Sequence, residues 1–458
     1  MMIFYFILFS ICYSQNIYTE YLVSSGDTID VFSYQIPENY NSNNEHPLLV
    51  AFHQWGGNEN SNYYTNFDEE ANNRNWIMLS PYGGSSNNYN HQGSQDMVQL
   101  EIEWIMNHFN IDSNRIYMIG GSMGGASGAI YHNNHLNPLE PMVAATASAS
   151  GILDCERRAI EMDGNNSMIE WFGGNWNEVP FEYHRNSAVY FADSTQSMHY
   201  NLKHLPLYLD FGISETHRVH AEDLYNLIRN YNNNMWIDTE PTGSHGYPVF
   251  EENHVCDWLS QFELINNPNI VNVNLDEPSR AYWLEVKGQF NSTDFIRINA
   301  VKNENNIFNI YELSNADSII FHNTLNSSNT QLLINYEFIN NGYYIGLSGN
   351  DMNLIDEINA TGIIGDYLEP LNINIYNQIV WISISDLNFE KIEIIISYFS
   401  DDINQDGIWN IIDIILITNH ILDIDTLPID FVENADLNND GVINIIDIIG
   451  IVNIILNN

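Results

Sequence analysis

Gly120-Gly121-Ser122-Met123-Gly124 is the stretch of this chain best suited to chemistry. The apolar run Ile116 to Ile119 ends abruptly there, and a small-residue, helix-compatible run, Ala126 to Tyr131, follows. Glycines at these positions let the chain reverse from strand to helix in one tight turn, where side chains would collide with their neighbours. The turn presents the serine hydroxyl at the carboxyl end of a sheet. Such a serine needs a histidine as base, an acid to orient it, and donors for a developing oxyanion. Gly212-Ile-Ser-Glu215 follows the apolar run Leu205 to Phe211 and sets an acid just past a strand end. Asp210 is the rival acid, but it precedes the glycine and falls within that strand. Gly243-Ser-His245-Gly-Tyr-Pro supplies the histidine in a glycine-rich loop, with His254 as runner-up at the start of a helix. The backbone N–H of Met123 gives one oxyanion donor. The second comes from the loop after the Pro47 to Phe52 strand, at Trp55 or Gln54.

The elements around these residues alternate. Pro47 to Phe52 is continuously apolar, as in a strand buried on both faces of a parallel sheet. Trp76 to Leu79 reads as the next strand and Asp96 to Phe109 as a helix. The strands Val143 to Ala149, Leu205 to Phe211 and Trp236 to Glu240 follow, with helices over Arg218 to Tyr231 and His254 to Leu264. Strands alternating with helices imply a mostly parallel α/β sheet with helices on both faces. This domain runs over residues 15–268. Residues 270–398 change to short alternating runs, Ala281 to Val286, Phe295 to Val301, Ile307 to Leu313, Tyr343 to Leu347, Ile379 to Ile384 and Ile392 to Phe399, which read as a β-sandwich. Trp283, Tyr343, Tyr344 and Trp381 suit core packing there better than polysaccharide binding. Residues 400–458 contain a repeat. Asp402-Ile-Asn-Gln-Asp-Gly-Ile-Trp-Asn-Ile-Ile-Asp413 returns as Asp436-Leu-Asn-Asn-Asp-Gly-Val-Ile-Asn-Ile-Ile-Asp447, and each copy leads into an isoleucine-rich helix.

Charge excludes some partners. Thirteen Lys and Arg stand against 59 Asp and Glu, a net charge of −46, and after Lys302 the only basic side chain is Lys391. Such a chain repels nucleic acid and anionic membranes. It suits salty surroundings, where screening softens self-repulsion. Residues 1–14 are apolar and too short to span a bilayer, so they read as a signal peptide cut near Ser14-Gln15, although no Lys or Arg opens them. The protein is expected to be secreted or cell-surface attached, with no membrane insertion after signal removal. Phe9-Ser10-Ile11 is a poor lipobox for Cys12. Cys155 and Cys256 then remain, either as one disulfide or as two separate buried thiols.

Residues 46–265 resemble the extracellular esterase family that includes polyhydroxybutyrate depolymerases and feruloyl or acetylxylan esterases. The resemblance rests on Pro47-Leu-Leu-Val-Ala-Phe-His53 with Gly56-Gly57, on Asp96 and Val98, and on Ile111-Asp112 with Arg115-Ile-Tyr117 leading into Gly120-Gly-Ser122-Met-Gly-Gly125. It implies an α/β-hydrolase fold and a secreted carboxylic-ester hydrolase with Ser122 as nucleophile, in the chain order serine, acid, histidine. Two departures stand out. The family's His-Gly after the third strand is His53-Gln54 here, and its His-Gly-x-x-Asp is Phe211-Gly212-Ile-Ser-Glu215.

The C-terminal repeat resembles a type I dockerin, a small α-helical domain with two EF-hand-like loops. The resemblance implies two structural Ca²⁺ ions, held by oxygens at loop positions one, three, five, nine and twelve and by a carbonyl at seven. The ligands are Asp402, Asn404, Asp406, Ile408, Asn410 and Asp413, then Asp436, Asn438, Asp440, Val442, Asn444 and Asp447. A dockerin implies a cohesin module on a scaffold as partner. The recognition positions ten and eleven are Ile411-Ile412 and Ile445-Ile446, which suit an apolar interface or internal packing.

The expected activity is therefore serine-dependent hydrolysis of a polymeric ester, either a polyhydroxyalkanoate or a feruloyl- or acetyl-decorated polysaccharide. The competing readings are a non-catalytic adhesion or scaffold protein with a retired hydrolase domain, and a peptidase. Trp171, Phe172, Trp176 and Phe181 either line an acyl site or form a hydrophobic cap, and the cap is favoured.

Overall fold

Tyr117 and Met118 point to opposite faces of one central strand, and the two faces have separate cores. The computed structural model describes residues 16–163, 166–241, 243–303, 307–325, 330–336, 343–349, 355–384, 389–398, 403, 410–427, 435–438 and 440–457. The chain divides into two compact units. The first takes in residues up to Pro268 together with Asn272–Tyr282 and Asn291–Phe295. The second holds Asn269–Val271, Trp283–Phe290 and Ile296–Asn458.

In the first unit the elements are β1 (Ile17–Ser24), β2 (Asp27–Gln35), β3 (His46–Phe52), α1 (Phe67–Asn73), β4 (Ile77–Pro81), α2 (Gln92–His108), β5 (Ile111–Gly121), α3 (Met123–Asn134) and β6 (Ala145–Ala149). Then come α4 (Cys155–Glu161), α5 (Met168–Phe172), α6 (Pro180–Arg185), β7 (Leu207–Asp210), α7 (Arg218–Ile228), β8 (Met235–Ile237) and α8 (Glu252–Leu259). Eight strands form one sheet in the order β1-β2-β4-β3-β5-β6-β7-β8. β2 is antiparallel to both β1 and β4, and the strands from β4 across to β8 pair in parallel. This strand order is that of the α/β-hydrolase fold.

Side chains alternate across a strand, and the two cores follow that period. Leu48, Val50 and Phe52 of β3 join Ile116 and Met118 of β5 in a core with Val98, Ile102 and Ile105 of α2. Leu49 and Ala51 join Tyr117 and Ile119 in the opposite core, with Phe67 of α1 and Val255, Cys256 and Leu259 of α8. Helices thus cover both faces, and every residue of β3 is buried. A buried Leu or Ile contributes roughly 1.5–3 kcal/mol, so this two-sided core anchors the ends of β3 and β5.

The elements differ from the sequence reading mainly at their ends. α2 begins at Gln92 rather than Asp96, because polar residues with no apolar period form its first turn. β8 covers only Met235–Ile237, and beyond it the chain pairs with the acid loop as an isolated bridge, Gly212 to Glu240. The segments 272–282 and 291–295, read as part of the second domain, belong to the first unit. Asp276 is ion-paired with Arg185 at 2.5 Å, and Phe295 is buried with Phe181 and Met198.

Cys155 and Cys256 are free and buried, the second of the two alternatives, and the disulfide does not form. The Cys155 Sγ–H donates to the Asn186 carbonyl at 3.1 Å, while Cys256 packs in the α8 core. Burial pushes both thiols up to about 12.

In the second unit the strands are β9 (Ile270–Leu275), β10 (Arg280–Ala281), β11 (Leu284–Val286), β12 (Ile296–Lys302), β13 (Ile307–Ser314), β14 (Ser318–Leu325), β15 (Thr330–Tyr336), β16 (Tyr343–Gly349), β17 (Ile355–Ile364), β18 (Tyr367–Pro370), β19 (Asn372–Tyr376), β20 (Ile379–Ile384) and β21 (Lys391–Tyr398), although part of β9 and all of β10 count with the first unit. One sheet runs β11-β14-β16-β20-β19, and the other β18-β17-β21-β15-β13-β12. Both are mixed, with β13 parallel to β15 and β14 parallel to β16. Phe308 of β13 meets Phe321 of β14 at 5.0 Å, so the sheets face each other over an aromatic core. Trp283 stacks on Phe321 at 6.2 Å, lies tilted against Phe308 at 5.5 Å and is buried, whereas Tyr344 is 54% exposed. Among the described residues, two helices follow these sheets, α9 (Ile411–Ile421) and α10 (Ile445–Asn457). Between them they bury Ile417 and Ile451 with Ile403, Leu427 and Ala435. Among the described residues, no helix is long and apolar enough to cross a membrane.

Candidate active site

Ser122 sits in a backbone conformation that L-residues rarely adopt, φ 54° and ψ −117°. Such a conformation costs of order 1–3 kcal/mol and persists only where the surroundings impose it. Here three contacts impose it. The Ser122 N–H donates to the Ala149 carbonyl at 2.7 Å, and its own carbonyl accepts from Ala126 at 3.2 Å and from Ile152 at 3.3 Å. The flanking glycines are explained by close approach. A side chain on Gly120 would strike the Gly124 carbonyl, and one on Gly124 would lie 2.6 Å from the carbonyl oxygens of Phe52 and His53. The first turn of α3 therefore abuts the end of β3.

His245 Nε2 lies 2.9 Å from Ser122 Oγ, and His245 Nδ1 is hydrogen-bonded to Glu215 Oε2. The Glu215 side chain is 5% exposed and that of His245 41%, so the carboxylate is sheltered while the imidazole is open to a substrate. Glu215 is held by its own loop, with Oε1 accepting from the Gly212 N–H at 3.2 Å. The β7 and β8 ends carry the two loops side by side, because Glu240 donates to the Phe211 carbonyl at 2.8 Å and Ile213 donates to that of Glu240 at 2.9 Å. On the far side, the Gly246 N–H donates to Ser150 Oγ at 3.0 Å. A serine hydroxyl, an imidazole and a carboxylate in this order can pass the serine proton to the ring while the carboxylate fixes the tautomer.

Asp210 lies elsewhere. It is the last residue of β7, and its Oδ1 accepts from the Phe211 N–H at 2.8 Å. Burial, with Asp238, Glu240 and Glu215 nearby, raises its carboxyl to about 7. His254 is in α8, packed edge-on to Tyr208 at 6.0 Å.

Met123 opens α3, and the first N–H groups of a helix have no intrahelical acceptor. Its side chain is buried, with Sδ receiving the Tyr89 N–H at 3.4 Å. Gln54 and Trp55 follow β3 directly. The Gln54 carbonyl accepts from Gly57 at 2.9 Å, and the His53 ring spans the Gln54 and Tyr82 carbonyls at 2.8 and 2.9 Å. Trp55 is 60% exposed at the rim. Of the aromatic group after β6, Phe172 and Phe181 are buried, Phe172 against Tyr183 at 4.8 Å, and Trp171 stacks on His91 at 4.5 Å.

Sequence reasoning missed a second layer. The His217 ring lies 5.4 Å from that of His245, and its Nδ1 lies 3.6 Å from Glu161 Oε2, which also receives Arg158 Nη1 at 3.2 Å. Burial, with Arg158 nearby, lowers the His217 imidazole below its ordinary value. His220 is fully buried and lowered to about 3. The signal was available, since His217, Arg218 and His220 crowd directly behind Glu215. Glu161, His217 and His220 bring potential ligand atoms within 4.8 Å of one another. However, His220 Nδ1 accepts the Asp154 N–H at 3.3 Å. A neutral ring then carries its proton on Nε2, which makes that nitrogen a donor rather than a metal ligand.

In the C-terminal repeat, Asp402, Asn404, Asp406 and Ile408 lie outside the described residues. Asn410 caps α9 reciprocally with Asp413, with its side chain accepting from the Ile412 N–H at 2.7 Å and its own N–H donating to Asp413 Oδ2 at 2.8 Å. In the second copy Asp436 accepts from Gly441 at 2.7 Å, Asp440 from Val442 at 2.9 Å and Asp447 from Asn444 at 2.7 Å. Asn438 Oδ1 accepts from Asp440 at 3.0 Å, and the Val442 carbonyl accepts from Asn444 Nδ2 at 2.9 Å. Gly441 has φ +86°, which the turn requires. An all-oxygen set with three carboxylates fits a hard divalent cation. Ile411, Ile412, Ile445 and Ile446 are 48–67% exposed, so they face outward rather than packing internally.

Residues 400–456 match the dockerin type I domain family. No curated protein matches the chain. Among solved structures, the chain is similar to an S-formylglutathione hydrolase from Staphylococcus aureus, at 16% identity and TM-score 0.42 over 53% of this chain and 98% of that one. It is also similar to a ferulic acid esterase, at 14% identity and TM-score 0.39 over 54% and 96%. A truncated carbohydrate esterase from gut microbiota gives 15% identity and TM-score 0.39 over 50% and 89%. At these values the fold rests on the chain's own strand order.

Proposed function

We propose that the first unit is a serine esterase acting on a polymeric carboxylic ester, and that the C-terminal repeat binds two Ca²⁺ ions and docks the enzyme on a cohesin-bearing scaffold outside the cell. The observation that carries the esterase reading is the hydrogen-bonded series Ser122, His245, Glu215 at a strained strand-to-helix turn.

In this reading His245 Nε2 takes the Ser122 proton as Oγ attacks the ester carbonyl. Glu215 stabilises the imidazolium that forms. The carbonyl oxygen, now anionic, is received by the Met123 N–H and by an N–H of Gln54 or Trp55, each donor being worth about 2.7–4 kcal/mol. His245 then returns its proton to the leaving alcohol, and an acyl-serine remains. Water attacks that ester with His245 again as base, releasing the acid and restoring Ser122.

In the repeat, Asp436, Asn438, Asp440, Asn444 and Asp447 with the Val442 carbonyl hold one ion. Asp402, Asn404, Asp406, Asn410 and Asp413 with the Ile408 carbonyl hold the other. The ions neutralise carboxylates that otherwise repel one another. The exposed isoleucine pairs at the head of each helix support an apolar docking face.

The test is hydrolysis of p-nitrophenyl acetate and butyrate by the full chain beside Ser122→Ala. Activity lost in the variant supports the reading. Equal background rates in both proteins would end it, and activity surviving in Ser122→Ala would place the nucleophile elsewhere.

A further inference from the structure

His217 and His245 stand side by side, with ring centroids 5.4 Å apart and planes inclined at 59°. The two rings are mounted alike. Each turns Nδ1 towards a carboxylate: that of His245 is hydrogen-bonded to Glu215, and that of His217 lies 3.6 Å from Glu161 Oε2. His217 Nδ1 is buried and has no hydrogen-bond partner among the described residues. The side chain is nevertheless 18% exposed. The open part of the ring is therefore the edge away from Nδ1, which carries Nε2.

This pose is fixed from both sides. His217 directly precedes α7, where Arg218 Nη1 donates to the Ile213 carbonyl at 2.5 Å and ties the helix start to the acid loop. The His217 carbonyl accepts from the His220 N–H at 3.0 Å. Behind the ring, Arg158 Nη1 holds Glu161 Oε2 at 3.2 Å.

The place of the proton follows. Burial lowers the His217 imidazole below its ordinary value of 6.5, so at pH 8 the ring is neutral, with one N–H and one lone pair. A carboxylate oxygen beside Nδ1 favours the proton there, because a lone pair would face the oxygen's own. The lone pair then belongs to Nε2, at the open edge.

In ester cleavage at Ser122 the leaving oxygen takes its proton from His245 Nε2. The carbons attached to that oxygen must pass over the rings that border His245, and His217 is such a ring. Its Nε2 accepts a hydrogen bond from a donor on the alcohol and offers nothing to an alkyl chain.

We propose that His217 is a specificity-determining residue on the alcohol side of the esterase, its Nε2 accepting from a hydroxyl next to the scissile ester, so that monoesters of vicinal diols are preferred over esters of simple alkanols. The role rests on the esterase reading for the reaction it serves.

The test is kcat/KM of the full chain at pH 8 on 2-hydroxyethyl butyrate and propyl butyrate, which differ only by a hydroxyl in place of a methyl group. Taken as a ratio within each protein, the preference for the hydroxyethyl ester should fall about tenfold in His217→Phe, the loss of one well-placed hydrogen bond. Phenylalanine keeps an aromatic ring against His245, and the ratio cancels any loss common to both esters. His217→Gln, whose side-chain oxygen accepts, should restore part of the preference. A ratio unchanged in His217→Phe, whether or not both rates fall, would overturn the role. Proton–nitrogen correlation spectra of the histidines at pH 8, with the His217 signals identified by their loss in His217→Phe, should place its proton on Nδ1. A proton on Nε2, with Nδ1 accepting from His220, would overturn the role independently of the kinetics. Failure of the esterase reading looks different: wild-type rates on both esters would be no higher than those of Ser122→Ala, which would remove the reaction assigned to His217.

Discussion

The side-chain amide of Gln54 occupies the space that a side chain on Gly246 would need, and the same oxygen lies 3.0 Å from where Gly121 would carry its own. Gln54 is thus wedged between the strand leading to Ser122 and the loop that carries His245. Gly246 also has φ +73°, in the left-handed region. Gly246→Ala should therefore destabilise the first unit by about 1–2 kcal/mol. It should also lower kcat/KM on p-nitrophenyl butyrate at least about tenfold by moving His245 away from Ser122. Thermal unfolding and steady-state kinetics check both, and a fully active variant would refute the wedge.

Glu215→Gln keeps the shape of the side chain beside His245 Nδ1 but removes its charge. The neutral amide cannot stabilise an imidazolium. A fall in kcat of about 10³–10⁴-fold, with KM little changed, is expected on the same ester. A loss below tenfold, or a comparable loss in Asp210→Asn, would give the acid role to another residue.

Asp210 predicts a pH signature in stability rather than in rate. Its carboxyl is raised from 3.8 to about 7 in the folded chain, chiefly by burial. A raised group contributes stability below its unfolded value and loses it as pH rises through its folded value. Wild-type stability should therefore decline between about pH 4 and pH 7, by about 1.4 kcal/mol for each tenfold change in proton affinity. Asp210→Asn should flatten that slope. Urea unfolding at pH 4, 6 and 8 measures it, and parallel curves for the two proteins would count against it.

Chelation should unfold residues 400–456 before the rest. If Ca²⁺ binds only the folded repeat, saturation at a hundredfold over Kd adds about 2.7 kcal/mol. Addition of EDTA should lower the first calorimetric transition and leave the later ones in place. Asp447→Ala, which removes a buried carboxylate that accepts from both Asn438 and Asn444, should reproduce part of the shift. A first transition unmoved by EDTA would argue against calcium in the repeat.

Much of the architecture was legible because it is local. The G-x-S-x-G turn, the apolar β3 and the duplicated Asp/Asn loops are each written in a few consecutive residues whose backbone needs are narrow. The chain order of Ser122, Glu215 and His245 was legible for the same reason, since each follows a strand end. Elements without that signature were missed or misplaced. β14, β15 and β17 to β19 carry no clean alternation, and the segments 272–282 and 291–295 look like sandwich strands yet fold with the first unit.

What only the tertiary structure decided are relations between residues far apart in sequence. Glu215 rather than Asp210 reaches His245, because Asp210 stays inside β7 while the loop after it swings the later carboxylate beneath the ring. Cys155 and Cys256 stay apart, since one thiol bonds Asn186 and the other packs under α8. The paired isoleucines face solvent, and Gln54 fills the gap left by Gly246. Residue types and spacing specify which groups can do chemistry. Distance, burial and the direction of a side chain come from packing 458 residues together, and no local pattern records them.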